Sequence, residues 1–270
     1  MKAAYRKDGF VVLEGLVAEA ALDACEAEFR AIFEAVAARF GIGPAAGPRP
    51  VDLTPVMTAL FRADMAAYLA AAKLAQHAVA LHRLGTDPAL MAALRDLGLE
   101  LPVISTRPVM FLMADALKVP GGYHKTPPHQ DWRSIQGSLD SVVVWIPFTD
   151  VGPGHYPLEV APGSHRRGLL PSVEDAFGHR LADGIVDAAE FRPLSVARGD
   201  AVVFSTLLVH RTGENGGPEA RFAASFRYNN ALEPSFVARS YPNPYVYRPD
   251  MTLIEPVAAS PEAAARTFGR

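Results

Sequence analysis

Between Ala18 and about Gly98 the apolar positions recur at steps of three and four. Leu22, Cys25, Phe29, Ile32, Phe33, Val36 and Phe40 line one face of a helix that Gly41 stops. The run GIGPAAGPRP that follows reads as a loop, because neither helix nor strand tolerates so many Gly and Pro residues. Thr54-Pro55 opens an Ala-rich helical stretch to Leu84, with a break expected near Asp64 or Lys73. Asp87 is placed to cap a further helix that begins at Pro88 and ends at Gly98. Ahead of all these, GFVVLEG is short, β-branched and Gly-bounded, and predicts a strand.

From Leu101 the period changes. VISTRPVMFLM, SVVVWIPF, PLEVAP, RPLSVA, DAVVFST and RFAASFRYN alternate with Gly/Pro-rich turns, the texture of a sandwich or barrel rather than a parallel sheet. VVFSTLLVH reads as one strand ending at His210, whereas Arg166 to Glu190 carries few strand signals and reads as a long loop or short helix. After Asn230 the chain is Pro- and Tyr-rich, with a last helical piece expected from Pro261. No linker composition marks a boundary near residue 100. The economical reading is a single domain over 1–270, mainly β with an α-helical buttress (α+β): helical layer 18–98, β core 101–230, tail 231–270.

Composition narrows the function classes. With 26 basic against 29 acidic residues and no Lys/Arg run, the chain offers no footprint for nucleic acid or a membrane surface. No apolar stretch approaches the roughly 18–20 residues that span a bilayer, and MKAAYRKDGFVVLEG lacks the apolar core of a signal peptide. A single cysteine excludes an internal disulfide, so a cytoplasmic location is expected. Oligomeric state is left open.

The candidate chemistry lies in the histidines. His77, His82 and His179 have no metal-spaced neighbour, His165 sits in the APGSH turn, and His124 in GGYHKTPP reads as a pocket-loop residue. His129 differs, because it stands two residues before Asp131. In extended backbone, residues i and i+2 point to one side, so an imidazole and a carboxylate share a face. With His210 they make a set of two imidazoles and one carboxylate, which suits Fe(II) enzymes that bind a cosubstrate and oxygen at one metal. Arg221, at the start of an apolar strand, needs an anion to pair with. A hairpin would bring it close to His210. Glu214 and Glu219 in the intervening turn are alternative partners.

The ordered set H129-Q-D131, SVVVWIPF, LEVAPGSH and H210-R-T-G-E-N with Arg221 resembles the phytanoyl-CoA dioxygenase-like family of Fe(II)/2-oxoglutarate oxygenases. The resemblance implies a double-stranded β-helix, a cupin-like jelly-roll of two facing sheets with helices against one of them. It gives His129, Asp131 and His210 the iron-ligand roles. Arg221 and Thr212 then hold the distal carboxylate of 2-oxoglutarate. Trp145 matches an aromatic of the cosubstrate pocket, and reads equally well as a core tryptophan. Because Asp131 is a carboxylate where halogenating relatives have a small residue, hydroxylation or a related oxidation of a small-molecule C–H bond is implied. Oxygen is the other cosubstrate, and succinate and carbon dioxide are released.

Trp132, Arg133 and Gln136 directly follow the metal-binding pair and are candidates for the pocket rim. His155, in GPGHYP where the family more often has Asn-Gly, and Arg227, on the Arg221 face of a regular strand, are further candidates for substrate contact. A surface or loop role is open for each. Two other readings stay open: a metal-dependent cupin-like hydrolase or isomerase, and a non-catalytic metal-binding relative.

Overall fold

A computed structural model of the chain describes residues 1–119, 125–176 and 178–241. His124 and the helical piece expected from Pro261 lie outside the described residues. The N-terminal part runs α1 (Lys2–Asp8), β1 (Phe10–Leu13), α2 (Glu19–Ala38), α3 (Thr54–Ala63), α4 (Met65–Ala75), α5 (Val79–Leu84) and α6 (Pro88–Leu97). Helix α2 buries Leu22, Cys25, Phe29, Phe33 and Ala37, the face its spacing predicts. Phe40 lies past the helix end and is exposed. The Ala-rich stretch breaks at Asp64, whose extended backbone ends α3 and whose side chain accepts from the Ala67 N–H at 2.9 Å to cap α4. A second break falls at Gln76–Ala78, and Lys73 stays inside α4. Asp87 caps α6 as expected, accepting from the Ala89 N–H at 2.8 Å.

The remainder holds β2 (Pro102–Ile104), β3 (Val109–Met113), α7 (Trp132–Ile135), β4 (Val142–Pro147), β5 (Leu158–Val160), β6 (Ser172–Asp175), β7 (Gly178–Leu181), β8 (Arg192–Pro193), β9 (Ala201–Ser205), β10 (His210–Thr212), β11 (Arg221–Asn230) and α8 (Pro234–Ala238). The larger sheet is antiparallel in the order β1-β9-β4-β11-β2, with β3 also paired to β11. A smaller sheet, β10-β5-β8, faces it, and β6 with β7 forms a separate hairpin. This is the double-stranded β-helix with a helical buttress. The pleat explains why β4 is apolar throughout. Val142, Val144 and Ile146 enter the core shared with α2–α6, while Val143 and Trp145 face the smaller sheet with Phe204 and Ala223. Among the described residues no helix is long and apolar enough to cross a membrane.

Two expectations need correction, and one element was not foreseen. Arg166–Glu190 contains the β6–β7 hairpin, whose residues SVED and GHRL are mostly solvent-facing and so carry no apolar alternation. VVFSTLLVH is two strands. The Ser205 hydroxyl accepts from the Leu207 N–H at 3.2 Å and its carbonyl accepts from Leu208 at 2.8 Å, so a hydroxyl-stabilised turn ends β9. His210 therefore opens β10 in the other sheet. Helix α1 was unannounced by pattern because it buries no residue fully.

Candidate metal centre

His129 and His210 are neighbours through their backbones: each N–H donates to the other's carbonyl, at 3.0 and 3.1 Å. Their rings lie 4.1 Å apart. Nδ1 of His129 is 2.7 Å from the Pro127 carbonyl and Nδ1 of His210 is 3.0 Å from the Leu208 carbonyl. A donor is required at each Nδ1, which leaves Nε2 as the lone-pair nitrogen, the form that binds metals.

Asp131 reaches the pair by a turn rather than by extended backbone. Its φ of −64° and ψ of −28° are helical, at the start of α7. Its Oδ1 lies 3.3 Å from His129 Nε2. All three side chains are buried, and one ligand atom from each lies within 4.8 Å of the others. Burial alone would raise the Asp131 carboxyl. Chief among the interactions that oppose burial is the Arg227 guanidinium on Oδ2, and the group is held well below the usual carboxylate range. Burial, helped by the nearby His129, pushes His210 down to about 3, against the opposing pull of Asp131. A neutral imidazole beside an ionised carboxylate is the protonation state that a divalent cation needs.

Along β11 the pleat puts Arg221, Ala223, Ser225 and Arg227 on one face. Arg221, Ser225 and Arg227 of that face, with Trp145, Phe204, Thr212 and the three candidate ligands, line a pocket of about 390 Å³, counting the space open to solvent. Arg221 and His210 meet there from opposite sheets, not through the expected hairpin. Arg221 is 4% exposed. Its Nη1 donates to the Tyr156 carbonyl, its Nη2 lies 2.9 Å from Met113 Sδ, and its Nε is buried with no hydrogen-bond partner. Burial pushes the guanidinium down to about 9, so it is still a cation at neutral pH. Glu214 pairs instead with Lys125, and among the described residues neither Glu214 nor Glu219 forms an ion pair with Arg221. The Trp145 ring lies 5.5 Å from the guanidinium carbon, and the Thr212 hydroxyl is 2.7 Å from that of Thr126.

The substrate candidates divide. Arg227 points into the cavity, but its Nε donates to Asp131 Oδ2 at 3.0 Å and its Nη1 to Ser225 at 3.2 Å. Arg133 donates to the Leu170 carbonyl at 3.0 Å and stands at an outer vestibule with Gln130, Ser134 and His179. The others lie off the cavity. The Trp132 indole donates to the Ser138 carbonyl at 3.2 Å, and Gln136 is an exposed cap of α7. His155 sits on an exposed turn, its Nδ1 accepting from the Gly152 N–H at 3.3 Å. Pattern reading passed over Ser225, which the period of β11 could have given, and set aside His179, which had no metal-spaced neighbour, although it lines the vestibule.

The geometry has counterparts. The profile of the phytanoyl-CoA dioxygenase (PhyH) family matches residues 5–223. Phytanoyl-CoA dioxygenase 1 of Oryza sativa subsp. japonica is 31% identical over 125 residues, which are 44% of this chain and 44% of that one. The chain thus aligns with less than half the length of that relative. Among solved structures, the apo form of the non-heme monooxygenase ThoJ superposes with a TM-score of 0.59 at 23% identity, over 85% of this chain and 76% of that one. The epimerase SnoN, in complex with Fe3+, alpha ketoglutarate and nogalamycin RO, gives 0.58 at 18%, over 93% and 91%. EctD from S. alaskensis, with 2-oxoglutarate and 5-hydroxyectoine, gives 0.51 at 20%, over 86% and 76%. At these identities the likeness to the solved structures is one of fold.

Proposed function

Because the chain belongs to the phytanoyl-CoA dioxygenase (PhyH) family, we propose that it is an Fe(II)- and 2-oxoglutarate-dependent dioxygenase. Its reaction is the oxidation of a C–H bond in a small polar molecule, with release of succinate and carbon dioxide. One observation carries this: a buried His-Asp-His cluster shares a pocket with a buried guanidinium whose Nε–H lacks a partner. The donor set fits a divalent iron, and the orphaned N–H fits an anion. A hydrolase or isomerase using the same three ligands would leave that N–H without a role.

In this reading His129, Asp131 and His210 hold the iron, and their hydrogen-bonded Nδ1 atoms keep the rings from turning. Arg221 grips the far carboxylate of 2-oxoglutarate, with the Thr212 hydroxyl as a second donor. Trp145, beside the guanidinium, excludes water from that end, and Phe204 packs on the His210 ring. When bound, the iron and its two cosubstrates, 2-oxoglutarate and oxygen, supply the oxidising chemistry. Arg133 and His179 meet the substrate at the mouth, and the cation of Arg133 favours a polar molecule over an apolar one. The helices and the larger sheet share one core, which supports reading the chain as a single domain. One buried thiol, Cys25, supports a cytoplasmic location.

The test is a screen of small polar molecules against anaerobically reconstituted protein, with oxygen then admitted and succinate measured. The expected result is substrate-triggered succinate that is abolished by His210→Ala. Iron-loaded protein that binds no 2-oxoglutarate and releases no succinate with any molecule overturns the proposal.

A further inference from the structure

Two guanidiniums share the cavity face of β11, and their surroundings separate their jobs. Arg221 has a buried N–H still without a partner, whereas the Nε of Arg227 is already spent on a protein carboxylate, Asp131 Oδ2, at 3.0 Å. The Arg227 side chain is 12% exposed and that of Asp131 5%, so the pair is largely withdrawn from water. Ser225 braces the guanidinium at 3.2 Å through Nη1. The backbone of Asp131 is pinned as well, since its carbonyl accepts from Ser134 and Ile135, both at 3.1 Å. The other carboxylate oxygen, Oδ1, is the one beside His129 Nε2.

We propose that Arg227 is a positioning residue that occupies Asp131 Oδ2, so that the carboxylate offers the metal only Oδ1. This rests on the dioxygenase reading and deepens it. Two imidazoles and one carboxylate oxygen leave three positions of an octahedral ion open, the number that a chelating cosubstrate and oxygen need. A carboxylate released from Arg227 turns about its terminal bond and ligates through both oxygens, which takes a fourth position. Arg227 thereby reserves coordination space that the cosubstrate requires. A guanidinium suits the task because its planar fork presents N–H groups to Oδ2 and the Ser225 hydroxyl in fixed geometry, whereas the lysine ammonium sits on a flexible stem.

The clamp predicts effects of opposite sign on the two ligands, which a merely structural role does not. Co(II) serves as a spectroscopic probe in full-length wild type, Arg227→Met and Arg227→Lys. Arg227→Met is expected to bind Co(II) at least as tightly as wild type, since a cation is lost and a ligand oxygen gained. Its visible spectrum shifts, and its affinity for 2-oxoglutarate on the Co(II)-loaded protein falls about 10–100-fold, the range for a lost outer-shell partner. Arg227→Lys lies between. Folded variants with wild-type spectra and wild-type 2-oxoglutarate affinity overturn the proposal, and if the Met variant does not fold, the Lys variant decides by the same criteria. Should wild type itself bind neither Co(II) in a His210-dependent way nor 2-oxoglutarate, it is the dioxygenase reading that fails.

Discussion

Replacing Arg221 with methionine should stabilise the protein while disabling its cosubstrate site. The guanidinium is buried, and burial moves it from an ordinary value of 12.5 to about 9. Keeping it charged in the fold therefore costs about 5 kcal/mol. The sign follows from a base whose folded value is lowered: the cost is fully present below about pH 9 and fades as pH rises toward 12.5. Methionine removes that cost and loses the hydrogen bond to the Tyr156 carbonyl, worth about 1–3 kcal/mol. The balance favours Arg221→Met by about 2–4 kcal/mol, a melting point several degrees above wild type. With 2-oxoglutarate and Fe(II) under anaerobic conditions the gap narrows. Wild type gains about 2.7 kcal/mol at a hundredfold excess over Kd, whereas loss of the ion pair costs the variant about 2–5 kcal/mol of affinity. Thermal melts with and without 2-oxoglutarate read both effects. A variant that melts below wild type, or that keeps the full ligand-induced shift, refutes the argument.

Three further outcomes are expected. The affinity for 2-oxoglutarate should be flat from pH 7 to about 9 and fall above it, because the cation that binds the anion is lost as pH rises through the Arg221 value; calorimetry across that range checks it. The Cys25 thiol, pushed up to about 12 by burial and by the neighbouring Glu28 and Glu26, should resist iodoacetamide at pH 8 until the chain unfolds; stoichiometric labelling of folded protein contradicts this. Gly216→Ala puts a methyl group onto the Tyr156 ring, whose carbonyl meets Arg221. It should cost about 1–3 kcal/mol of stability in a denaturant titration and weaken 2-oxoglutarate binding with it.

Local features were legible where one residue decides them. Asp87 and Gly98 bound α6 because a cap and a left-handed glycine act within a few residues. The alternation along RFAASFRYNN placed Arg221 and Arg227 on one face because the pleat has a fixed period. Long-range geometry was harder to read. The turn at Ser205 depends on hydroxyls that a β-rich run such as VVFSTLLVH conceals. The meeting of His129 with Asp131 was foreseen from extended backbone, yet it comes from a helical turn. That Arg227 ends on Asp131 depends on contact between β11 and the start of α7, which no local pattern encodes.

The reciprocal backbone bonds between His129 and His210 also bear on how the chain relates to its metal. The two imidazoles are far apart in sequence, and joining them is an entropic cost that grows with the intervening length. Here the sheet has already met that cost before any ion arrives. The centre is thus a rigid socket rather than a folding nucleus, unlike small zinc domains that are unfolded without their ion. A chelator should strip the ion and leave the circular dichroism of the chain unaltered, and one divalent ion should exchange for another without passage through an unfolded state.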